Sequence, residues 1–172
     1  GSLTSVTIGN RVETIGGSAF MSCGKLETVT MGNSVISIGD RAFAQCSSLR
    51  NVTIPDRVKV IEDYVFYGCS GLENVTIPSS VITVEKWAFY GCNGLIGITI
   101  GNSVETIDST AFAVCRKLEK ISVAAGNSKY QSAGDCLIET ETKALILGCK
   151  NSIIPADGSV TSVGGRAFFG CG

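Results

Sequence analysis

Apolar residues recur along this chain at a fixed interval of 23 positions. The phenylalanines of the pattern are Phe20, Phe43, Phe66, Phe89 and Phe112, and the cysteines are Cys23, Cys46, Cys69, Cys92 and Cys115. The repeating unit reads L-x-x-V-T-I-(G/P)-x-x-V-x-x-I-x-x-x-A-F-x-x-C-x-x. A repeat of this length predicts a solenoid, because one coil cannot bury its own apolar face and must stack on its neighbours.

Each unit contains the signals for two short extended stretches and a turn. The Val-Thr-Ile segment alternates apolar and polar residues, which is typical of a strand, and β-branched residues favour strands. A glycine or proline then ends the strand, as Gly32 and Pro55 do. A second apolar stretch follows, and we expect the Ala-Phe-x-x-Cys segment to form a short helical turn. Equivalent strands are expected to pair in parallel at roughly 4.8 Å.

The regular interval breaks after Val123, and the next clear match to the unit ends at Cys171. Between them, residues 136–147 contain two apolar runs around a polar turn, which predicts a β-hairpin. We therefore predict a single domain over 1–172, with regular repeats in 1–123, a hairpin insertion in 124–150 and a resumed, truncated repeat in 151–172. Because both ends fall inside a unit, we expect a fragment of a longer array.

These motifs resemble the BspA-like leucine-rich repeats of bacteria. The motifs that carry the resemblance are Ala42-Phe43 with Cys46, Leu49 with Val52-Thr53-Ile54-Pro55, and Val58 with Ile61. The resemblance implies a leucine-rich-repeat solenoid: a β-rich right-handed superhelix of 23-residue coils with a parallel sheet, short helical turns and an inserted β-hairpin. It also implies an extracellular or cell-surface location and a role in attachment to host or neighbouring-cell molecules.

Charge and residue content narrow the range of functions. Fourteen basic and fifteen acidic residues leave a net charge of -1, so no basic field favours nucleic acid. No apolar run approaches the roughly 20 residues of a membrane helix, so we expect no membrane insertion. The chain has no histidine, which excludes Ser–His and Cys–His nucleophile pairs. We therefore expect no enzyme activity, no catalytic residue and no cofactor.

The eight cysteines are interpreted mainly as core residues. The five periodic cysteines occupy one position facing the interior, which predicts a column of buried, reduced thiols. No metal site is expected, because ligands from successive coils form a line rather than a tetrahedron. Cys136 and Cys149 lie outside the periodic column, so their redox state is open: a disulfide between them is one alternative, and two thiols the other.

Two surfaces are candidates for binding a partner. One is the outer face of the main sheet, which the resemblance places on the concave side; its column is Thr7, Thr30, Thr53, Thr76, Thr99 and Ser122. The other is a cluster around the turn, composed of Arg41, Tyr64, Tyr67, Trp87 and Tyr90. The leading hypothesis is a non-enzymatic interaction module for adhesion or protein binding, with an unknown protein or a glycan as partner. A carbohydrate-binding surface and a structural spacer are the alternatives.

Overall fold

The computed structural model describes residues 2–171, and its regular structure consists of short strands. In chain order they are β1 (Ser5–Ile8), β2 (Thr14–Ile15), β3 (Thr28–Met31), β4 (Ser37–Ile38), β5 (Val60–Ile61), β6 (Asn74–Thr76), β7 (Thr83–Val84), β8 (Gly97–Ile100), β9 (Thr106–Ile107), β10 (Lys120–Val123), β11 (Tyr130–Ala133), β12 (Cys136–Glu139), β13 (Ala144–Leu147) and β14 (Ser162–Val163). The predicted solenoid is confirmed, since these strands stack coil upon coil.

Two parallel ladders run along the solenoid. The first contains β1 and β3, then β6, β8 and β10, and single bridges through Asn51 join its two parts. The second contains β2 and β4, then β5, β7 and β9. Pairing follows the sequence interval: Thr7 lies opposite Thr30, and Ile61 opposite Val84. Each coil therefore places equivalent residues in columns.

The third side of each coil is a chain of turns, and the predicted helical turn is wrong within residues 2–171, where no helix is found. The N–H of Ala44 donates to the carbonyl of Arg41 at 3.0 Å, whereas the N–H of Phe43 donates to Val65 of the next coil at 2.9 Å. Successive N–H groups thus donate alternately within the coil and to the next coil. This pattern requires residues with left-handed backbone conformation, which cannot continue a right-handed helix. Positive φ angles occur at equivalent non-glycine residues Ser18 (59°), Arg41 (55°), Tyr64 (60°) and Trp87 (56°).

The core is a set of residue columns. The rings of Phe20, Phe43, Phe66, Phe89 and Phe112 stack nearly parallel with centroids 5.1–5.7 Å apart. Beside them, each buried thiol of the periodic column donates to a phenylalanine carbonyl one coil back, as Cys69 Sγ does to Phe43 O at 3.1 Å. Cys46, Cys69, Cys92 and Cys115 are buried, but Cys23 is half-buried because no described coil covers its outer side.

The predicted hairpin is present and is extended by one further strand. β12 pairs antiparallel with β13, and β11 pairs antiparallel with β12, giving a three-stranded meander. β13 then pairs in parallel with β14, where the repeat resumes. The amide of Asn127 joins the insertion to the preceding coil, since its Nδ2 donates to Gly101 O at 2.8 Å and Val104 O at 3.1 Å. The inserted segment thus continues the stack.

Candidate interaction surface

The turn side of each coil exposes the residues that flank the buried phenylalanine. In the third coil, Val65 and Phe66 are buried, while Tyr64 and Tyr67 are half-buried. The side chains on either side of the buried apolar pair therefore lie at the surface. The next coil repeats this arrangement with large aromatic residues, so two pairs of rings stand side by side.

The four rings form one continuous surface, here called the aromatic patch (Tyr64, Tyr67, Trp87 and Tyr90). The centroid of Tyr64 lies 5.7 Å from that of Tyr67 and 4.9 Å from that of Trp87. Tyr67 and Tyr90 are stacked at 5.3 Å with an interplanar angle of 5°, and Trp87 meets Tyr90 edge-on at 6.5 Å. A shallow cavity of about 280 Å³ is lined by these four residues.

Two cations cover part of the aromatic patch. The guanidinium carbon of Arg41 lies 4.3 Å from the ring centroid of Tyr64, as the equivalent positions in adjacent coils predict. Lys86 Nζ lies 4.1 Å from the ring of Trp87, a contact that sequence reasoning missed. Arg41 also forms an ion pair with Asp40 at 2.6 Å. The structure therefore brings all five predicted residues of this cluster together and adds Lys86.

Carboxylates border the aromatic patch on the side where the second ladder ends. Glu62 and Asp63 directly precede Tyr64, and Glu85 follows Glu62 one coil later. Partial burial raises the pKa of Glu62, and repulsion from Glu85, Asp63 and Asp40 raises it further. Sequence reasoning missed this border; its signal was the recurrence of Glu62 as Glu85 one period later, two positions before the aromatic residue of each coil.

The threonine column follows the first ladder, but of its six members Thr53 lies outside a strand, because its coil joins the ladder only through the bridges of Asn51. Thr7, Thr30, Thr53 and Thr76 are exposed, while Thr99 and Ser122 are half-buried. Near the end of the column the insertion approaches the sheet, and the N–H of Val123 donates to Ser132 Oγ at 3.1 Å. The column therefore offers a polar, uncharged surface along its first four coils.

The two cysteines outside the periodic column are buried thiols in this structure. Cys149 Sγ lies 3.4 Å from Asp135 O and 3.6 Å from Ser152 Oγ, and Cys136 Sγ lies 3.5 Å from Gly134 O. Burial is the largest cause that raises the pKa of Cys136. Within residues 2–171, no group of three Cys, Asp or Glu side chains is arranged to hold a metal ion.

The fold and its repeating columns define a leucine-rich-repeat solenoid. Residues 1–119 match the model of the BspA type leucine rich repeat region in six copies, and the chain belongs to this family. No match was found among curated proteins.

Solved structures of bacterial proteins share the fold. A leucine-rich repeat protein from Eubacterium ventriosum is 24% identical, with a TM-score of 0.78 over 98% of this chain and 51% of its own. A leucine rich cell surface protein from Faecalibacterium prausnitzii is 28% identical, with a TM-score of 0.69 over 98% of this chain and 59% of its own. A leucine rich repeat protein of T. pallidum is 23% identical, with a TM-score of 0.67 over 95% and 70%. The chain thus spans about half the length of the Eubacterium protein.

These findings characterise the chain as a stretch of BspA type leucine rich repeats, and the Faecalibacterium protein that shares its fold is described as a cell surface protein. Across residues 2–171, helices with the length and apolar character needed to cross a membrane are not found.

Proposed function

We propose that this chain is a non-enzymatic module for adhesion through protein binding, within a longer protein of the bacterial cell surface. The observation that carries the proposal is the aromatic patch, four half-exposed rings in contact across two coils. Tyrosine and tryptophan are enriched among the residues that dominate binding energy, because each buries a large area and ends in a polar group.

The aromatic patch is held in place before any partner arrives. The N–H of Tyr64 donates to Lys86 O at 3.1 Å, which fixes the spacing of the two coils at this surface. The rings also support one another, since Tyr67 stacks on Tyr90. A surface that is already ordered loses little conformational entropy on binding, which favours affinity.

The proposed cell-surface location is supported by one relative of the chain. The Faecalibacterium relative, 28% identical, is described as a cell surface protein. Attachment requires a surface that remains accessible on a rigid support, and a solenoid presents its columns along its whole length.

Carbohydrate binding is the second candidate. The nearly coplanar rings of Tyr67 and Tyr90 provide a flat apolar platform of the kind that packs against sugar rings. The exposed hydroxyl groups of Thr30, Thr53 and Thr76 provide a second, polar face. A purely structural spacer would use neither surface.

Selection from a random dodecapeptide display library, together with a glycan array, separates the three functions. We expect peptides that bind the parent protein and lose at least about tenfold in affinity for the Tyr67→Ala/Trp87→Ala variant. The matched control is Thr30→Ala/Thr53→Ala on the main sheet, which should bind the same peptides within about twofold of the parent. Urea unfolding of both variants establishes that each is folded.

Each other outcome contradicts the proposal in a specific way. Glycan binding without peptide binding favours carbohydrate recognition. Peptides that are lost only in the threonine variant move the binding surface to the main sheet. Absence of both peptide and glycan binding indicates a spacer.

A further inference from the structure

In four successive coils, acidic residues occupy one or both of the two positions that precede the position equivalent to Tyr64, and this row is here called the acidic border. These residues are Asp40, Glu62, Asp63, Glu85 and Asp108. Only two basic residues, Arg41 and Lys86, share this border. These five acidic and two basic residues give the border a charge of -3, whereas the net charge of the whole chain is -1, so negative charge is concentrated here and the remaining residues are net positive.

The acidic border has little internal neutralisation. Among the described residues, Asp40 is the one member of the border in an ion pair, with Arg41 at 2.6 Å. Lys86 is directed over the ring of Trp87. Within residues 2–171, Glu62, Asp63 and Glu85 form no ion pair, and the pKa of Glu62 is raised by burial and by its acidic neighbours, which indicates uncompensated repulsion. A cationic partner would relieve that repulsion.

Resting on the function proposed above, we propose that the aromatic patch docks an extended peptide segment of a partner protein that is rich in lysine and arginine. The rings would bury the apolar stems of these side chains, and the carboxylates of Glu62, Asp63 and Glu85 would pair with their charged ends.

The spacing of the coils favours a linear polycation over a single cation. Coils repeat at roughly 4.8 Å, so the acidic border from Asp40 to Asp108 extends over roughly 14 Å. Side chains on one face of an extended peptide recur at roughly 6.6 Å, so two or three cations fit along that length. The rings themselves accept cations in this geometry, as Arg41 over Tyr64 and Lys86 over Trp87 show.

Octalysine and octaglutamate are the probes for this proposal. Trp87 is the only tryptophan, so its fluorescence reports binding at the aromatic patch. We expect octalysine to change the emission saturably at 50 mM NaCl, with affinity falling as salt is raised, and octaglutamate to have no effect.

Charge removal at the border tests where octalysine binds. The Glu62→Gln/Glu85→Gln variant should bind octalysine about tenfold more weakly than the parent. The control Glu27→Gln/Glu105→Gln makes the same change in net charge at exposed residues of other columns and should bind within about twofold of the parent. An equal effect of both variants, or no effect of the first, overturns the proposal.

The peptides selected from the display library distinguish failure of the basic-partner proposal from failure of the proposed function. Selected peptides that require Tyr67 and Trp87 but carry no excess of lysine and arginine leave the binding module in place and overturn the basic partner. Peptides that bind independently of these rings overturn the site itself.

Discussion

The hydroxyl group of Tyr130 accepts a hydrogen bond from the backbone N–H of Ile107 at 3.2 Å, 23 residues away along the chain. Ile107 ends β9, the edge strand of the second ladder. The same hydroxyl donates to Glu105 O at 3.4 Å. A side chain of the insertion therefore replaces the backbone partner that the next coil would otherwise provide, and the tyrosine itself is buried.

Replacing Tyr130 with phenylalanine should destabilise the protein by about 1–2 kcal/mol, because the N–H of Ile107 would lose its partner while remaining covered. Urea unfolding measures the change. Tyr67→Phe is the matched control: its hydroxyl makes no hydrogen bond within residues 2–171, so its effect should remain within about 0.5 kcal/mol. Equal stabilities of Tyr130→Phe and the parent would contradict the capping role.

Gly134 should tolerate no side chain, and Gly126 should tolerate one at modest cost. Gly134 has φ of 57°, and an added Cβ would collide with the carbonyl of Ile153; Gly126 has φ of 86° with open space around it. Gly126→Ala should therefore cost about 1 kcal/mol from backbone strain alone, and Gly134→Ala clearly more. Thermal unfolding of the two variants compares them directly. Similar losses in both would contradict the close approach at Ile153.

Stability should fall in alkaline solution because the core thiols resist ionisation. Burial, followed by the neighbouring Cys23, raises the pKa of Cys46 from 9.0 to about 11. A raised pKa means that stability is fully present below pH 9 and is lost as the pH rises towards 11, since the unfolded chain ionises first. In Cys46→Ser the slope of unfolding free energy against pH should diminish by the equivalent of one proton over this window.

The control for the alkaline effect is Phe66→Leu, which lowers stability while retaining every thiol. Its slope against pH should match that of the parent. If Cys46→Ser retained the parent slope as well, the buried thiol would not be the source of the effect.

The phenylalanine column should dominate core stability. Phe66 is fully buried and stacks on Phe43 at 5.7 Å and Phe89 at 5.2 Å. Phe66→Ala should cost about 3–5 kcal/mol, whereas Phe66→Leu should cost about 1.5 kcal/mol because it fills more of the space. Urea unfolding followed by circular dichroism measures both. A Phe66→Ala variant as stable as Phe66→Leu would contradict this packing.

The periodic part of the fold could be predicted because each core column repeats a residue type. Phe43, Phe66 and Phe89 are recognisable from spacing alone. The left-handed conformation of Tyr64 and Trp87 had no such signal, since neither is glycine, and the helical turn was predicted wrongly for that reason.

Two residues that cover the last regular coil keep the 23-residue interval but differ in residue type from the repeat. Tyr130 lies 23 positions after Ile107, and Asn127 lies 23 positions after Val104. A search for identical residue types passes over both, whereas a search for spacing would have found them. The contacts within the aromatic patch were expected from the columns, but the direction of Lys86 depended on a side-chain conformation that spacing does not determine.

The in-register pairing of residues one period apart also governs how such an array can change length. Excising residues 70–92 would join Cys69 to Asn93, and each strand would find an equivalent neighbour, so the stack would close over the loss. The same excision would remove Trp87 and Tyr90 and leave half of the aromatic patch. Recombination can therefore shorten or lengthen the scaffold by whole coils. A surface built across two neighbouring coils is retained only when both coils are retained together.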